Sequence, residues 1–299
     1  MRNEINRFFA PSSPMSIDLH VHSHFSDGSQ SPTELVRLAV KSGVTALSIT
    51  DHDTMDGVDE AMAAGALHGV EVVPGLEVSV VHDRRALHIL GYYLDQGNKK
   101  LNDALAVIQE ARDLRNEKIL AKLCSFGVDA TSAELKKISG LGQTGRPHIA
   151  KLLMNHGVVN SISQAFDDYL RKDAKAYEPR FAYGAEDAIR FITEAGGLAV
   201  LAHPIQVDRT LALLHTLLPE LKSYGLAGIE TYYPSQPKSM QKRLKKFARE
   251  YDLLLTGGSD YHGDIRPGTR LAGGHNVYVP PALLDKMKGR VAEKSNINL

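Results

Sequence analysis

From Ser16 onward, short apolar runs alternate with longer amphipathic stretches, and the alternation predicts strands followed by helices. In the first run Ile17, Leu19 and Val21 alternate with Asp18, His20 and His22. Successive side chains of a strand point to opposite faces, so the polar set shares one face. Ser31, Pro32 and Glu34 then spell a helix start: a hydroxyl N-cap, a proline in the first turn and the carboxylate of a capping box. Beyond this helix, which runs to Gly43, the pattern predicts a strand over 44–50 and a short helix over 59–66, then strands near 70–73, 76–80 and 86–92.

Between about 98 and 183 the texture changes to long, charged amphipathic stretches without a convincing strand, which predicts an all-helical insertion. Alternation resumes with helices over 186–195, 211–225 and 237–251 and strands over 198–203, 227–232 and 253–262. Seven or so β/α units broken by one helical excursion predict an α/β fold, a parallel barrel carrying a cap. The expected domains are a discontinuous barrel over 15–98 and 184–290 and a helical cap over 99–183.

Composition narrows the class. The 299 residues are 43% hydrophobic and 23% charged, which excludes disorder, collagen and coiled coil as global descriptions. Lys plus Arg equals Asp plus Glu at 35 each, so no overall charge draws the surface to nucleic acid or membrane. A single cysteine, Cys124, rules out an internal disulfide and a thiolate-rich zinc site, and fits a reducing cytoplasm. No apolar run approaches the ~18 residues of a membrane span, and the first sixteen residues lack a signal-peptide core. The expectation is a soluble cytoplasmic chain with no membrane and no stable protein partner.

Thirteen histidines beside no tryptophan gain meaning from their positions. In parallel α/β barrels the site lies at the carboxyl ends of strands. Near those ends fall His20 and His22, Asp51 and His52, Glu77, His88, His203, and Asp260 and His262, with Asp27 in the loop after the first strand. Any one pair is unremarkable. The whole set needs a reason, because buried charge without a partner is costly, and a metal cluster supplies it. Imidazole and carboxylate without thiolate suit Mn²⁺, Fe²⁺ or Zn²⁺.

Taken in order, His20-x-His22, Ser26-Asp27-Gly28, Thr50-Asp51-His52, Gly75-x-Glu77, His88-Ile89-x-Gly91, Ala202-His203-Pro204 and Ser259-Asp260-x-His262 resemble the PHP (polymerase and histidinol phosphatase) family of metal-dependent phosphoesterases. The inserted segment is similar to that of its stand-alone branch, which includes 3′,5′-nucleoside bisphosphate phosphatases and 5′-to-3′ exonucleases of short RNA. The resemblance implies a distorted (β/α)7 barrel holding three divalent ions. It implies that His20, His22 and Asp260 hold one ion, His88 and His203 a second, and Asp27, His52 and His262 a third, with Glu77 bridging the first two. Glu77, His203 and Asp260 are the expected catalytic residues, and the expected reaction is hydrolysis of a nucleotide, a nucleoside bisphosphate or a short RNA end by metal-activated water.

In the insertion, the pattern predicts a helix start at Arg146 and His148, where a guanidinium and free N–H groups can hold phosphate together. Lys175 and Tyr177 are further candidates for substrate contact. Asp51 is placed either to orient His52 or to cap the following turn, and His24 is read as a loop residue. His68, His82, His156, His215 and His275 are assigned to surface or packing roles. Gly140-x-Gly142-x-x-Gly145 spells a dinucleotide-binding fingerprint but follows a charged helical stretch instead of a strand, so it reads as a glycine loop. Three rivals stay open: a histidinol phosphate phosphatase, an amidohydrolase acting on C–N bonds, and an inactive nucleotide-binding module. No lysine stands at a strand end to serve as the carboxylated bridge that amidohydrolases commonly use.

Overall fold

The computed structural model describes residues 16–297 apart from 141, 267 and 273–276; His275 therefore lies outside the described residues. The first half runs β1 (Ser16–Val21), α1 (Pro32–Lys41), β2 (Val44–Ile49), α2 (Val58–His68), β3 (Glu71–Val72), β4 (Gly75–His82) and β5 (Arg85–Tyr92). The helical stretch follows as α3 (Lys99–Ser125), α4 (Ser132–Ser139), α5 (Arg146–Asn155) and α6 (Ile162–Ala165), with a π-turn at Phe166–Leu170. Then come β6 (Tyr183–Gly184), α7 (Ala185–Glu194), β7 (Leu198–Leu201), α8 (Pro204–Val207), α9 (Leu214–Ser223), β8 (Gly228–Tyr232), α10 (Lys238–Glu250), β9 (Leu254–Gly257) and α11 (Ala282–Ile297).

The start of α1 is the capping box that its sequence predicts, Ser31 Oγ accepting from Glu34 N–H at 3.2 Å and Glu34 accepting from Ser31 N–H at 2.8 Å. The sheet differs from an all-parallel reading. Strands pair in two sheets, β1-β2-β3 and β6-β4-β5-β7-β8-β9, and β5 runs antiparallel to both β4 and β7. The reason is local: only a turn at Asp83–Arg84, both at positive φ, separates β4 from β5, and a parallel crossover would need a dozen or more residues. Neither sheet closes on itself among the described residues, but two isolated parallel bridges, Val21 to Tyr261 and His52 to Glu77, tie one to the other.

Alternation along the β4–β5 hairpin sends Leu76, Val78, Val80, Leu87 and Ile89 into the core shared with Ile108, Ile189, Ile192 and Leu218 of the covering helices. Glu77, Ser79 and His88 turn to the other face. Deeper on that face, Leu90 and Tyr92 join Ile17, Leu19, Leu198 and Val200 in a second core, sealed by Leu283, Leu284 and Met287 of α11. The helical stretch buries a core of its own, including Ile119, Leu123, Ile149, Leu153 and Leu170. Among the described residues no helix is long and apolar enough to cross a membrane.

Candidate metal centre

The loop after β1 folds back on itself because residue 28 is glycine: a Cβ there would stand 2.1 Å from the His22 carbonyl oxygen. The fold-back brings Asp27 beside His22 and His262. Asp51 holds this loop, accepting from Ser23 N–H at 2.7 Å and from the hydroxyls of Ser23 and Ser26 at 2.5 and 2.6 Å. Those bonds leave it neither orienting His52 nor capping α2, whose N-cap Gly57 receives no side-chain hydrogen bond. The two seryl hydroxyls are what claim its oxygens.

Glu77, on β4 and 1% exposed, is the centre of the cluster. Its Oε1 stands 2.8 Å from His88 Nδ1 and 3.0 Å from His203 Nε2. Its Oε2 stands 3.4 Å from His20 Nε2, 3.3 Å from His22 Nε2 and 3.1 Å from His52 Nδ1. The two oxygens thus divide five imidazoles between them. Glu77 and His88 lie within their strands, not at the ends, and meet because Ser79, not Glu77, is the register partner of His88. That makes them diagonal neighbours on one face.

Asp27 stands 3.3 Å from His262 Nε2 and 3.9 Å from His52 Nε2. Asp260 Oδ1 stands 3.6 and 3.3 Å from the Nε2 atoms of His20 and His22, while Tyr233 and Arg266 donate to its Oδ2. His203 and Asp260 are both held at positive φ, 27° and 50°, a conformation non-glycine residues seldom adopt and one found at functional sites.

These residues fit divalent ions. His22, Asp27, His52 and His262 converge closely enough to ligate one ion, as do His20, His22 and Glu77, and His52, Glu77 and His88. Four buried nitrogens, His20 Nε2, His22 Nε2, His52 Nδ1 and His262 Nε2, make no hydrogen bond. Burial opposes ionisation of Glu77, yet His88, His52 and His20 hold its carboxyl well below the usual range. Burial opposes protonation of His22 as well, but the neighbouring Asp260 and Glu77 carry it up to about 9. Burial presses His52 down to about 3.

Beside the cluster the helical stretch places a group of cations that the sequence pattern disguises. Arg112 and Arg115, one turn apart on α3, look like solvent-facing charges, but Arg115 is 5% exposed and Arg112 pairs with buried Asp53. Arg180 donates to Ser79 Oγ at 2.8 Å. Burial and the neighbouring Arg112, Arg146 and Arg180 lower Arg115 to about 9. Burial likewise lowers Arg146 and Arg180, and the Nε atoms of Arg112 and Arg115 lack a partner. Arg146 also donates to Leu170 O at 3.1 Å and lies over the Phe166 ring.

His148 is buried, its Nδ1 accepting from Gly145 N–H at 3.1 Å. Lys175 is exposed over the Tyr169 ring, and Tyr177 is half-buried, its carbonyl accepting from Lys122. His24 packs edge-on against Phe25 and belongs to none of the converging groups. The glycine loop follows α4 and docks on the loop after β1, Gln143 N–H donating to Phe25 O at 2.7 Å. His82 and His156 pair with Glu220 and Glu134, and His215 packs edge-on against Phe247.

An α/β fold that gathers imidazoles and carboxylates from several strands around one buried glutamate defines a metal-dependent hydrolase. Residues 18–194 match the PHP domain. The chain is 35% identical to a 5′-3′ exoribonuclease of Haemophilus influenzae over 82% of its own length and 89% of that protein. It is 32% identical to a 3′,5′-nucleoside bisphosphate phosphatase of Chromobacterium violaceum, covering 89% and 93% of the two chains. A solved chain from Bifidobacterium adolescentis, provisionally described as a metal-dependent phosphoesterase, superposes with a TM-score of 0.83 at 32% identity, covering 94% and 97%. The chain belongs to the PHP family and is a metal-dependent phosphoesterase.

Proposed function

We propose that the enzyme hydrolyses a phosphate ester of a nucleotide bearing a further phosphate, a nucleoside bisphosphate or the end of a short RNA. One observation carries this: the Glu77-centred cluster adjoins four arginines, Arg112, Arg115, Arg146 and Arg180, whose charge the Asp53 carboxylate offsets only in part. Three divalent ions, Mn²⁺, Fe²⁺ or Zn²⁺, are assigned to His20, His22 and Asp260, to His88 and His203, and to Asp27, His52 and His262, with Glu77 shared by the first two groups. Such ions supply Lewis acidity toward water and toward phosphoryl oxygen.

The chain's own residues supply the rest. Glu77, with His203 and Asp260, keeps the ligand groups in fixed relation, and the two carboxylates hold the negative charge that bound cations need. Arg146 and Arg180, together with His148 near Arg112, hold the phosphate that does not react, and Lys175 and Tyr177 border the approach. The antiparallel hairpin, the paired sheets and their two bridges are read as a distorted seven-stranded barrel, capped by residues 99–183; a cytoplasmic setting suits such substrates. No side-chain nucleophile is required: the lone cysteine, Cys124, is exposed on α3.

Hydrolysis in Mn²⁺, read as inorganic phosphate from a nucleoside 3′,5′-bisphosphate, histidinol phosphate and p-nitrophenyl phosphate and as nucleoside monophosphate or phosphate from short oligoribonucleotides, tests the reading. The nucleotides should exceed p-nitrophenyl phosphate in kcat/KM by at least about tenfold, one charge-assisted contact. Preference for histidinol phosphate, or equal rates on all four, would overturn it.

A further inference from the structure

We infer that Glu230, on β8, is a positioning residue that aims two imidazoles of the metal centre at once. Its side chain is fully buried. Oε1 accepts from His20 Nδ1 at 2.8 Å, and Oε2 accepts from the His203 backbone N–H at 2.6 Å. His20 stands on β1 and His203 follows β7, so one carboxylate ties a strand of one sheet to a strand of the other.

Each contact has a distinct consequence. A proton on Nδ1 fixes the tautomer of His20, and the Nε2 lone pair then faces Glu77 and Asp260, 3.4 and 3.6 Å away. An imidazole whose second nitrogen is bound to a carboxylate is both oriented and more basic as a ligand. The contact to His203 acts on backbone: residue 203 sits at φ 27°, and a short hydrogen bond from its N–H to the Glu230 side chain offsets the strain of that conformation. His203 Nε2 is thereby presented to Glu77 Oε1 at 3.0 Å. Glu230 is itself anchored, its backbone carbonyl accepting from the buried Gln236 side chain at 3.2 Å. Asp18 lies on the same strand as His20, but its carboxylate is taken up by Ser259 and the Ala272 N–H, so Glu230 is the carboxylate that reaches the His20 ring nitrogen away from the cluster.

The inference rests on the metal-centre reading, and the two fail separately. E230Q keeps the volume but replaces one carboxylate oxygen by an NH2 donor, so it either releases one of the two contacts or, with that NH2 toward His20 Nδ1, leaves the His20 proton on Nε2, where no metal can bind. Full-length wild type and E230Q, equilibrated against buffered free Mn²⁺, are analysed for bound metal. The affinity of at least one ion should fall about 10- to 100-fold in E230Q, with turnover recovering as Mn²⁺ is raised. A bystander glutamate would leave metal affinity unchanged whatever happened to stability. Wild type without metal would sink the metal reading; metal in wild type and the same affinity in E230Q would sink this inference alone.

If E230Q does not fold, the wild-type holoenzyme decides. Nitrogen-15 spectra of its histidines, with the protein loaded with diamagnetic Zn²⁺, should show His20 protonated at Nδ1 and metal-bound at Nε2, and the opposite tautomer would overturn the proposal.

Discussion

Glu77 shows how much one side chain concentrates. Five imidazoles approach its two oxygens from four different segments, so Glu77→Gln keeps the shape while removing the shared negative charge. Turnover of the metal-saturated variant should fall about a hundredfold or more, with far-UV circular dichroism unchanged. Near-normal turnover would contradict the assignment. Arg146 and Arg180 are expected to act on the non-reacting phosphate, where an ionised contact is worth about 1.5–3 kcal/mol. Arg146→Ala or Arg180→Ala should therefore lower kcat/KM on a nucleoside bisphosphate by about 10- to 150-fold and lower it far less on p-nitrophenyl phosphate. Equal losses on both substrates would place the arginines on the reacting phosphate instead.

His22 makes the centre sensitive to protons. In the metal-free protein its value is raised from about 6.5 to about 9, so this group stabilises the fold below its unfolded value, and that contribution fades as pH rises through about 9. A metal ligand must give up the proton. Ion binding between these limits should release at least one proton, and affinity should strengthen about tenfold per pH unit up to about pH 9. Calorimetry in buffers of different ionisation enthalpy counts the protons, and a count of zero would refute the coupling.

Elements position these side chains through close contacts that tolerate little change. The turn between α4 and α5 reaches the metal centre by laying its glycine loop on the loop after β1, and a Cβ on Gly142 would stand 2.0 Å from the His24 carbonyl oxygen. Gly142→Ala forces backbone against backbone. It should cost about 1–3 kcal/mol, read from the denaturant midpoint, and raise KM more than it lowers kcat, because the arginines that follow from α3 and α5 shift with the loop. A variant with wild-type stability and KM would show that the docking is dispensable. The hairpin of β4 and β5 works in the same way: antiparallel register sets Glu77 and His88 as diagonal partners, a relation that a parallel neighbour would not have supplied.

For the molecule as a whole, the centre is a knot of buried charge joining both sheets. Ions that bind only the native form stabilise it by mass action, about 2.7 kcal/mol for each ion present at a hundred times its dissociation constant. Chelation should lower the melting temperature, and returning Mn²⁺ should raise it in a concentration-dependent way. A melting temperature indifferent to metal would argue that the carboxylates and imidazoles satisfy one another without ions.

Much of this was legible in one dimension. Period-two and period-3.6 patterns follow from backbone geometry, so the strands, the capping box of α1 and the helical stretch could be read locally, and the ordered motifs name the five imidazoles that meet Glu77 together with Asp27 and Asp260. The chain context of the glycine fingerprint, a preceding helix, is local as well and separates it from a dinucleotide-binding turn. Pairing direction was not legible, nor were Arg112, Arg115, Arg180, Asp18 and Glu230. Each of those side chains looks like an ordinary polar residue until its distant partner is known. Glu230 finds His20 two hundred and ten positions away, and Arg180 finds Ser79 across one hundred and one. Burial and partnership of charge are properties of folded space, because only the packed chain removes the water that would otherwise have solvated those groups.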